Sequence, residues 1–291
     1  TGTLDLNGGS FANQMSWYLN GGTLTSSTPF ASSSMGIVAE SGSSTVQAGP
    51  SAPYFTSGTG LSSTSGSGTL TTVGNGFAAG LTSGRINFAN STQTGPLIVK
   101  DGVTSYKSTV DGAISLTTGN LTLNNGVLAV QAGSTSGAYL TPSFTSSLGA
   151  GAGQVQWVGD GGFGALSTSS PTLTVNLGGN ATPDALAWGQ QYFVQDGSKL
   201  VFGGADLNNS TSVTSTVVWM NPIDLAAGGD ATRTIDVESL KTDSHAAIAR
   251  MDGVLSDSAG VGSLAKTGAG VLILNAANTY HGTTAIGAGT L

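Results

Sequence analysis

The chain closes on SLAKTGAGVLILNAANTYHGTTAIGAGTL (Ser263–Leu291) and opens on TGTLDLNGGS (Thr1–Ser10). Both stretches carry a Gly-Thr-Leu phrase, and in both apolar residues alternate with small or polar ones. That period of two belongs to a half-buried strand, because successive side chains point to opposite faces. The same pattern recurs at TLDL (3–6), GTLT (22–25), GTLTTV (68–73), RINF (85–88), AISL (113–116), LTLNNGVLAV (121–130), TLTVNL (172–177), KLVF (199–202), TIDV (234–237) and VLIL (271–274). Most segments are bounded by GG, NG or DG, pairs that tolerate the positive φ of tight turns.

Many short strands with Gly/Asn turns fit either an antiparallel sandwich or barrel, or a parallel solenoid. Two features favour the solenoid. The segments are short, about 3–5 residues against the usual 5–6, and one phrase is reused, as stacked coils require. Such a coil buries one small face per turn, and stacking makes the core continuous. The expectation is an all-β fold, a parallel β-solenoid with loop insertions, forming one domain over 1–291. Its spacing is irregular, and 26–66 reads as a more loop-rich segment. DSHAAIARMDG (Asp243–Gly253) leaves open either a short helix or a strand and loop, since Ala247, Ile248 and Met251 fit both.

Composition excludes several classes of function. Of 291 residues only 8% are charged, 38% are hydrophobic and 46 are glycine, with no Gly-X-Y period, so neither charge-driven disorder nor collagen fits. The net charge is −7, and the eight Lys and Arg are scattered singly. Nucleic acids and anionic membrane surfaces need a basic footprint that this chain lacks. No apolar run approaches the roughly 18 residues of a membrane span. With no cysteine, disulfides, thiolate metal sites and cysteine nucleophiles are absent, a composition compatible with export across two bacterial membranes. The start at Thr1 without Met or leader reads as a mature or excised chain.

Residues 264–291 resemble the autotransporter-associated β-strand repeat, also called the passenger-associated transport repeat. Lys266, Gly268, Gly270, Leu272 and Leu274 fit its first half. Asn278, Thr279, Tyr280, Gly282 and Thr284 fit its second, and Gly289 and Leu291 close it. The stretches 188–204 and 217–238 are similar to segments that precede this repeat in large bacterial surface proteins. The resemblance implies a right-handed parallel β-helix, an exported bacterial protein at the cell surface or outside the cell, and no catalytic residue in the repeat. Within it, Leu272 and Leu274 should enter the coil interior, and Gly268 and Gly270 should allow a corner or a close backbone approach. Asn278 should stack in a ladder with its own kind, and Tyr280 should pack.

Signals of chemistry are sparse. His245 and His281 lack a Gly-x-Ser-x-Gly elbow and any local zinc partner, so both read as surface or turn residues. Asp236 and Glu238 stand at i and i+2 on one face of a strand, an arrangement open to acid–base work on a glycan but read here as solvated charge between inward Ile235 and Val237. Asp224 and Asp230 form a looser group. The calcium nonapeptide of secreted β-rolls is absent, and no cofactor is expected. GPSAPYFTSG (Gly49–Gly58) reads as an extended loop, with Pro53, Tyr54 and Phe55 as candidate contact residues.

These observations point to a non-enzymatic, exported structural or adhesive solenoid, a surface passenger segment or stalk. One alternative is a filament subunit stacking head to tail through Thr3, Leu4, Leu6, Leu272, Leu274, Ile286 and Leu291, with Leu291 of one copy beside Leu4 of the next. The other is a glycan-active enzyme. The expected partners are copies of this chain, further coils of a longer chain, or a cell-surface glycan or protein.

Overall fold

The computed structural model of the chain describes residues 2–6, 15–26, 35–48, 54–55, 63–74, 85–88, 91–108, 112–114, 118–135, 138–166, 171–204, 214–239 and 247–291. Among the described residues there is no helix, and every strand pairing but one is parallel; the exception is the two-residue ribbon Ser134–Thr135 with Ala138–Tyr139. A parallel pair needs a long return connection. Here that connection is the rest of the coil, so the chain is a parallel β-solenoid.

One wall runs the length of the molecule. Its eleven-strand path starts at Thr3–Asp5 and passes through Thr23–Ser26, Ser43–Ala48, Thr69–Val73, Leu97–Ser108, Leu121–Ala132, Gly161–Leu166, Lys199–Gly204, Ala231–Ser239 and Gly262–Thr267 to Thr284–Ile286. A second wall is built from Met15–Leu19, Met35–Ala39, Ser63–Gly66 and Ser91–Gln93 in the first coils. From residue 112 a six-stranded sheet runs from Gly112–Ile114 to Val271–Leu274. A third, small wall joins Leu186–Ala187, Ile223–Asp224 and Leu255–Ser256. Within 26–66 the described residues include the strands Met35–Ala39, Ser43–Ala48, Tyr54–Phe55 and Ser63–Gly66, and Tyr54–Phe55 pairs with Arg85 and Ile86. Residues 27–34, 49–53 and 56–62 of that segment lie outside the described residues. Pro53 lies outside the described residues.

Register converts the alternation of the sequence into stacked columns. Leu4 pairs with Leu24, Leu24 with Val46, Val46 with Thr72, Thr72 with Val99, Val99 with Leu123 and Leu123 with Trp157. On the second wall, Phe144, Val175, Trp219, Met251 and Leu274 stack in the same way. A one-residue slip would turn a whole column to the other side of its wall, so burial fixes the register.

Two strands exceed the expected length. Leu97–Ser108 and Leu121–Ala132 are twelve residues each, and each bends where a non-glycine residue takes positive φ, Asp101 at 48° and Asn125 at 52°. Asn and Asp tolerate that conformation because their short side chains bond locally. Asn125 Nδ2 donates to Asp101 Oδ1 in one neighbouring coil, and Asn125 Oδ1 accepts the Asp160 amide from the other. The two halves of each strand can then meet different partners, as Leu97–Ser108 does with Thr69–Val73 and Arg85–Phe88. Glycines at another corner let backbones pass closely. A Cβ at Gly95 would stand 2.2 Å from the Gly68 carbonyl oxygen, and one at Gly119 would stand 2.4 Å from the Gly95 carbonyl carbon.

Ala247–Met251 is a strand, so the helical option is not taken there; it pairs along its whole length with Ser215–Trp219, and stacking outweighs weak helical spacing. Residues 243–246, with His245, lie outside the described residues.

Candidate functional site

The chemistry-bearing residues gather in the last three coils, at three places: the terminal edge, a buried ammonium and a carboxylate pair.

The edge is the strand Thr284–Ile286. It pairs with Leu264–Lys266 on one side, and among the described residues nothing pairs with its other side. All three residues are exposed, Ile286 at 54%. Leu272 is fully buried, whereas Leu274, the last residue of its column among the described residues, is half-buried. At the opposite end Thr3 is exposed, Leu4 is 45% exposed and Leu6 is buried. The repeated Gly-Thr-Leu phrases do not occupy equivalent places. Leu4 lies in the long wall beside Leu24, while Leu291 follows Thr290, which bridges to Val271 in the six-stranded sheet. Within the long wall, the outer counterpart of Leu4 is therefore the strand Thr284–Ile286 and not Leu291.

Lys266 is the surprise of the repeat. Its neighbours in register are Ile235 and Ile286, so its side chain points inward and is fully buried. Nζ donates to the carbonyls of Thr267 (2.8 Å), Gly268 (2.7 Å) and Ala288 (3.0 Å). Burial holds the ammonium below the ordinary lysine value, against the opposing pull of Asp236 and Glu238. Gly268 turns the corner with φ of 74°, as its glycine suggests, and Gly270 is needed for close approach, since a Cβ there would stand 2.6 Å from the Ala247 carbonyl oxygen. Sequence reasoning did not place this lysine inside; the alternation Leu264, Lys266 on one face is the signal that could have done so.

Asp236 departs from the solvated reading, and Glu238 only in part. Asp236 is 7% exposed and Glu238 half-buried, because the outward side of the wall is itself buried at this point. The register column on that side runs Val103, Val127, Gly162, Val201, Asp236, and Val103, Val127 and Val201 form a second apolar cluster. Asp236 Oδ2 meets Lys199 Nζ at 3.3 Å. Asp236 Oδ1, Glu238 Oε2 and Thr267 Oγ1 are buried without a hydrogen-bond partner. Burial first, and the neighbouring Asp236 second, push the Glu238 carboxyl up to about 7.

The other expected residues serve as links between coils. Asp257 accepts the amides of Gly262 and His281 and bonds His281 Nδ1 at 2.8 Å, contacts that hold its carboxyl down at about 2. His281 is exposed, as a turn residue should be. Asn278 does not ladder with its own kind; its Oδ1 accepts the Leu255 amide of the preceding coil. Tyr280 packs against the core and bonds Thr284. Asp224 and Asp230 stand apart, accepting the amides of Ser258 and Val261 respectively. Sequence reasoning missed the ion pair of buried Arg233 with Asp196, whose Arg233 Nε also donates to the Leu225 carbonyl. Among the described residues no three His, Cys, Asp or Glu side chains cluster to hold a metal ion, and no helix is long and apolar enough to cross a membrane.

Comparison with known proteins agrees with this placement. The family profile named passenger-associated transport repeat matches residues 264–291. No curated protein and no solved structure matches the chain. The matched residues span the buried lysine, the glycine corner and the open edge, so it is the last coil of this solenoid that is similar to the passenger-associated transport repeat.

Proposed function

We propose that this chain is a segment of an exported, non-enzymatic structural β-solenoid, a surface passenger or stalk whose last coil accepts a further coil. The observation that carries the reading is the terminal strand Thr284–Ile286, exposed along its length and, among the described residues, unpaired on its outer side. An edge of this kind is a template for another strand, and a solenoid gains a continuous core only by stacking. A glycan-cleaving role has less support, because the carboxylate pair Asp236 and Glu238 includes the buried Asp236, which offers a sugar ring no approach. Adhesion to a cell-surface glycan or protein would fall to exposed segments, and the contact residues proposed from sequence, Pro53, Tyr54 and Phe55, are to be tested there.

A second reading, stacking of whole copies into a filament, has one observation in its favour. Thr3–Asp5 and Thr284–Ile286 are the two end strands of the same wall. Each lies twenty residues from its partner, as Thr3 does from Thr23 and Leu264 from Thr284. The two ends thus share one coil size and present exposed Leu4 and Ile286.

Negative-stain electron microscopy over a concentration series separates the readings. The passenger reading expects single rods about 50 Å long at every concentration, from eleven coils at ~4.8 Å each. Uniform filaments of constant width would replace it with the second reading. Compact particles without a rod axis would contradict both.

A further inference from the structure

We propose that Asp236 and Glu238 share one proton and, with Lys199, Thr267 and Lys266, form a pH-sensitive latch that holds the terminal repeat onto the coil before it. The inference does not depend on what the repeat displays or accepts.

The geometry comes first. Asp236 and Glu238 are two residues apart on the strand Ala231–Ser239 and face the same side. Thr267, directly opposite Asp236 in register, is the last residue of the strand Gly262–Thr267 in the repeat. Three oxygens from these residues, Asp236 Oδ1, Glu238 Oε2 and Thr267 Oγ1, are buried and unpartnered. A buried carboxylate oxygen without a donor is costly, and two neighbouring carboxylates cannot both stay ionised there.

Among the described residues, the charged groups facing the pair are two ammoniums. Lys199, from the strand Lys199–Gly204, is engaged with Asp236 Oδ2. Lys266, from Gly262–Thr267, is engaged by the three carbonyls of Thr267, Gly268 and Ala288. The Thr267 hydroxyl can donate to one of Oδ1 and Oε2, and a proton held on the pair supplies the other. A metal ion fits poorly beside two ammoniums and without a third carboxylate or histidine.

With one proton present, the pair carries a single negative charge balanced by Lys199, and Lys266 stays on its carbonyls. Removing the proton adds a second buried negative charge. That charge repels Asp236 and draws the Lys266 ammonium from its clamp. Ala288 belongs to the last coil, and Asp236 packs against the Gly268 corner, where an added Cβ would stand 2.5 Å from Oδ1. Loss of the proton therefore acts on the attachment of the last coil.

The sign follows from linkage. The Glu238 carboxyl is raised from 4.5 to about 7 in the folded chain, so the folded state binds the proton more tightly. The stabilisation is fully present below about 4.5, declines as pH rises towards about 7, and is gone above it.

The test is amide hydrogen exchange over residues 264–291 in the full chain at pH 5.0 and pH 8.0, corrected for intrinsic exchange rates. Protection of the Gly270, Asn275 and Thr279 amides, which donate to the Val237, Met251 and Leu255 carbonyls of the coil before the repeat, should fall about tenfold from the lower to the higher pH. In Glu238→Gln, which cannot lose a proton, the fall should vanish; both histidines remain in both chains and cancel in the comparison. The same pH dependence in wild type and Glu238→Gln, or none in wild type, overturns the proposal. Infrared spectroscopy of the wild-type chain keeps the test decisive if the variant does not fold. A protonated-carboxyl band disappearing with a midpoint near 7 supports the shared proton, and the absence of any carboxyl band titrating between about pH 6 and 8 refutes it.

Discussion

The middle coils and the end coils solve one packing problem with different side chains. At either end a coil takes twenty residues, as from Thr3 to Thr23 or from Leu264 to Thr284. In the middle it takes many more: Phe163 pairs with Phe202, thirty-nine residues on. The longer perimeter encloses a wider interior, and there the core turns aromatic. Trp219 lies within 6.3 Å of Phe163 and 5.9 Å of both Phe193 and Phe202, and Trp157 within 5.3 Å of Phe193. The early coils are filled mostly by aliphatic residues, Leu24, Val46, Leu70 and Val99 among them, with one stacked aromatic pair, Phe88 and Tyr106, at 5.1 Å. Coil length and side-chain size vary together because interiors are packed without voids. The last coil departs from both. It is narrow, ends on half-buried or exposed apolar residues, and is held on by polar clamps at Lys266, Asp257 and Asn278.

This contrast can be broken by mutation, the largest effect coming from the wide coils. Trp219→Ala should cost about 3–5 kcal/mol of stability in denaturant unfolding, through the cavity and the lost indole bond to the Asn221 carbonyl. Leu24→Ala, in a narrow coil, should cost about 2–4 kcal/mol. Equal and small losses at both sites would deny that the aromatic cluster fills a larger space.

In the last coil the polar clamp should outweigh the apolar contacts. Lys266→Met keeps the bulk and removes the donor from three carbonyls; a loss of about 2 kcal/mol is expected, read as exchange of the Thr284–Ile286 amides without change in the middle coils. Gly268→Ala should cost about 1–2 kcal/mol, since alanine resists a φ of 74°. A neutral effect would place the corner elsewhere.

The smallest effect concerns acid. The Asp257 carboxyl is held down at about 2 by the His281 and Gly262 amides, so its contribution is present above the ordinary aspartate value of 3.8 and is lost as pH falls towards 2. Exchange of the last coil should therefore rise below about pH 4 in wild type and change less in Asp257→Asn. This window lies below that of Glu238, so an acid titration distinguishes the two links.

How much of this was legible depends on which side of a wall a residue faces. Inward columns could be read directly, because alternation reports them: Leu4, Leu24 and Val46, or Leu264 and Leu272, fall where the pattern puts them. The same rule could have placed Lys266 inside, but a lysine reads as surface until its three carbonyl acceptors are seen. Outward faces were opaque. Asp236 reads as solvated between Ile235 and Val237, yet its column is buried on the outside as well, at Val103, Val127 and Val201. Strand periodicity carries no information about what lies across an outer face. Coil width was equally hidden, since it depends on how far the chain travels before it pairs again.

The claim most exposed to failure is that the edge Thr284–Ile286 accepts a further coil. Appending a second copy of residues 264–291 after Leu291, and measuring amide exchange at Thr284–Ile286, tests it directly. If the edge accepts the coil, those amides become protected, Leu274 and Ile286 lose their exposure, and the extended chain unfolds in a single transition. Unchanged exchange at Thr284–Ile286, with the appended repeat unprotected, would show that the edge does not accept another coil and would contradict the account.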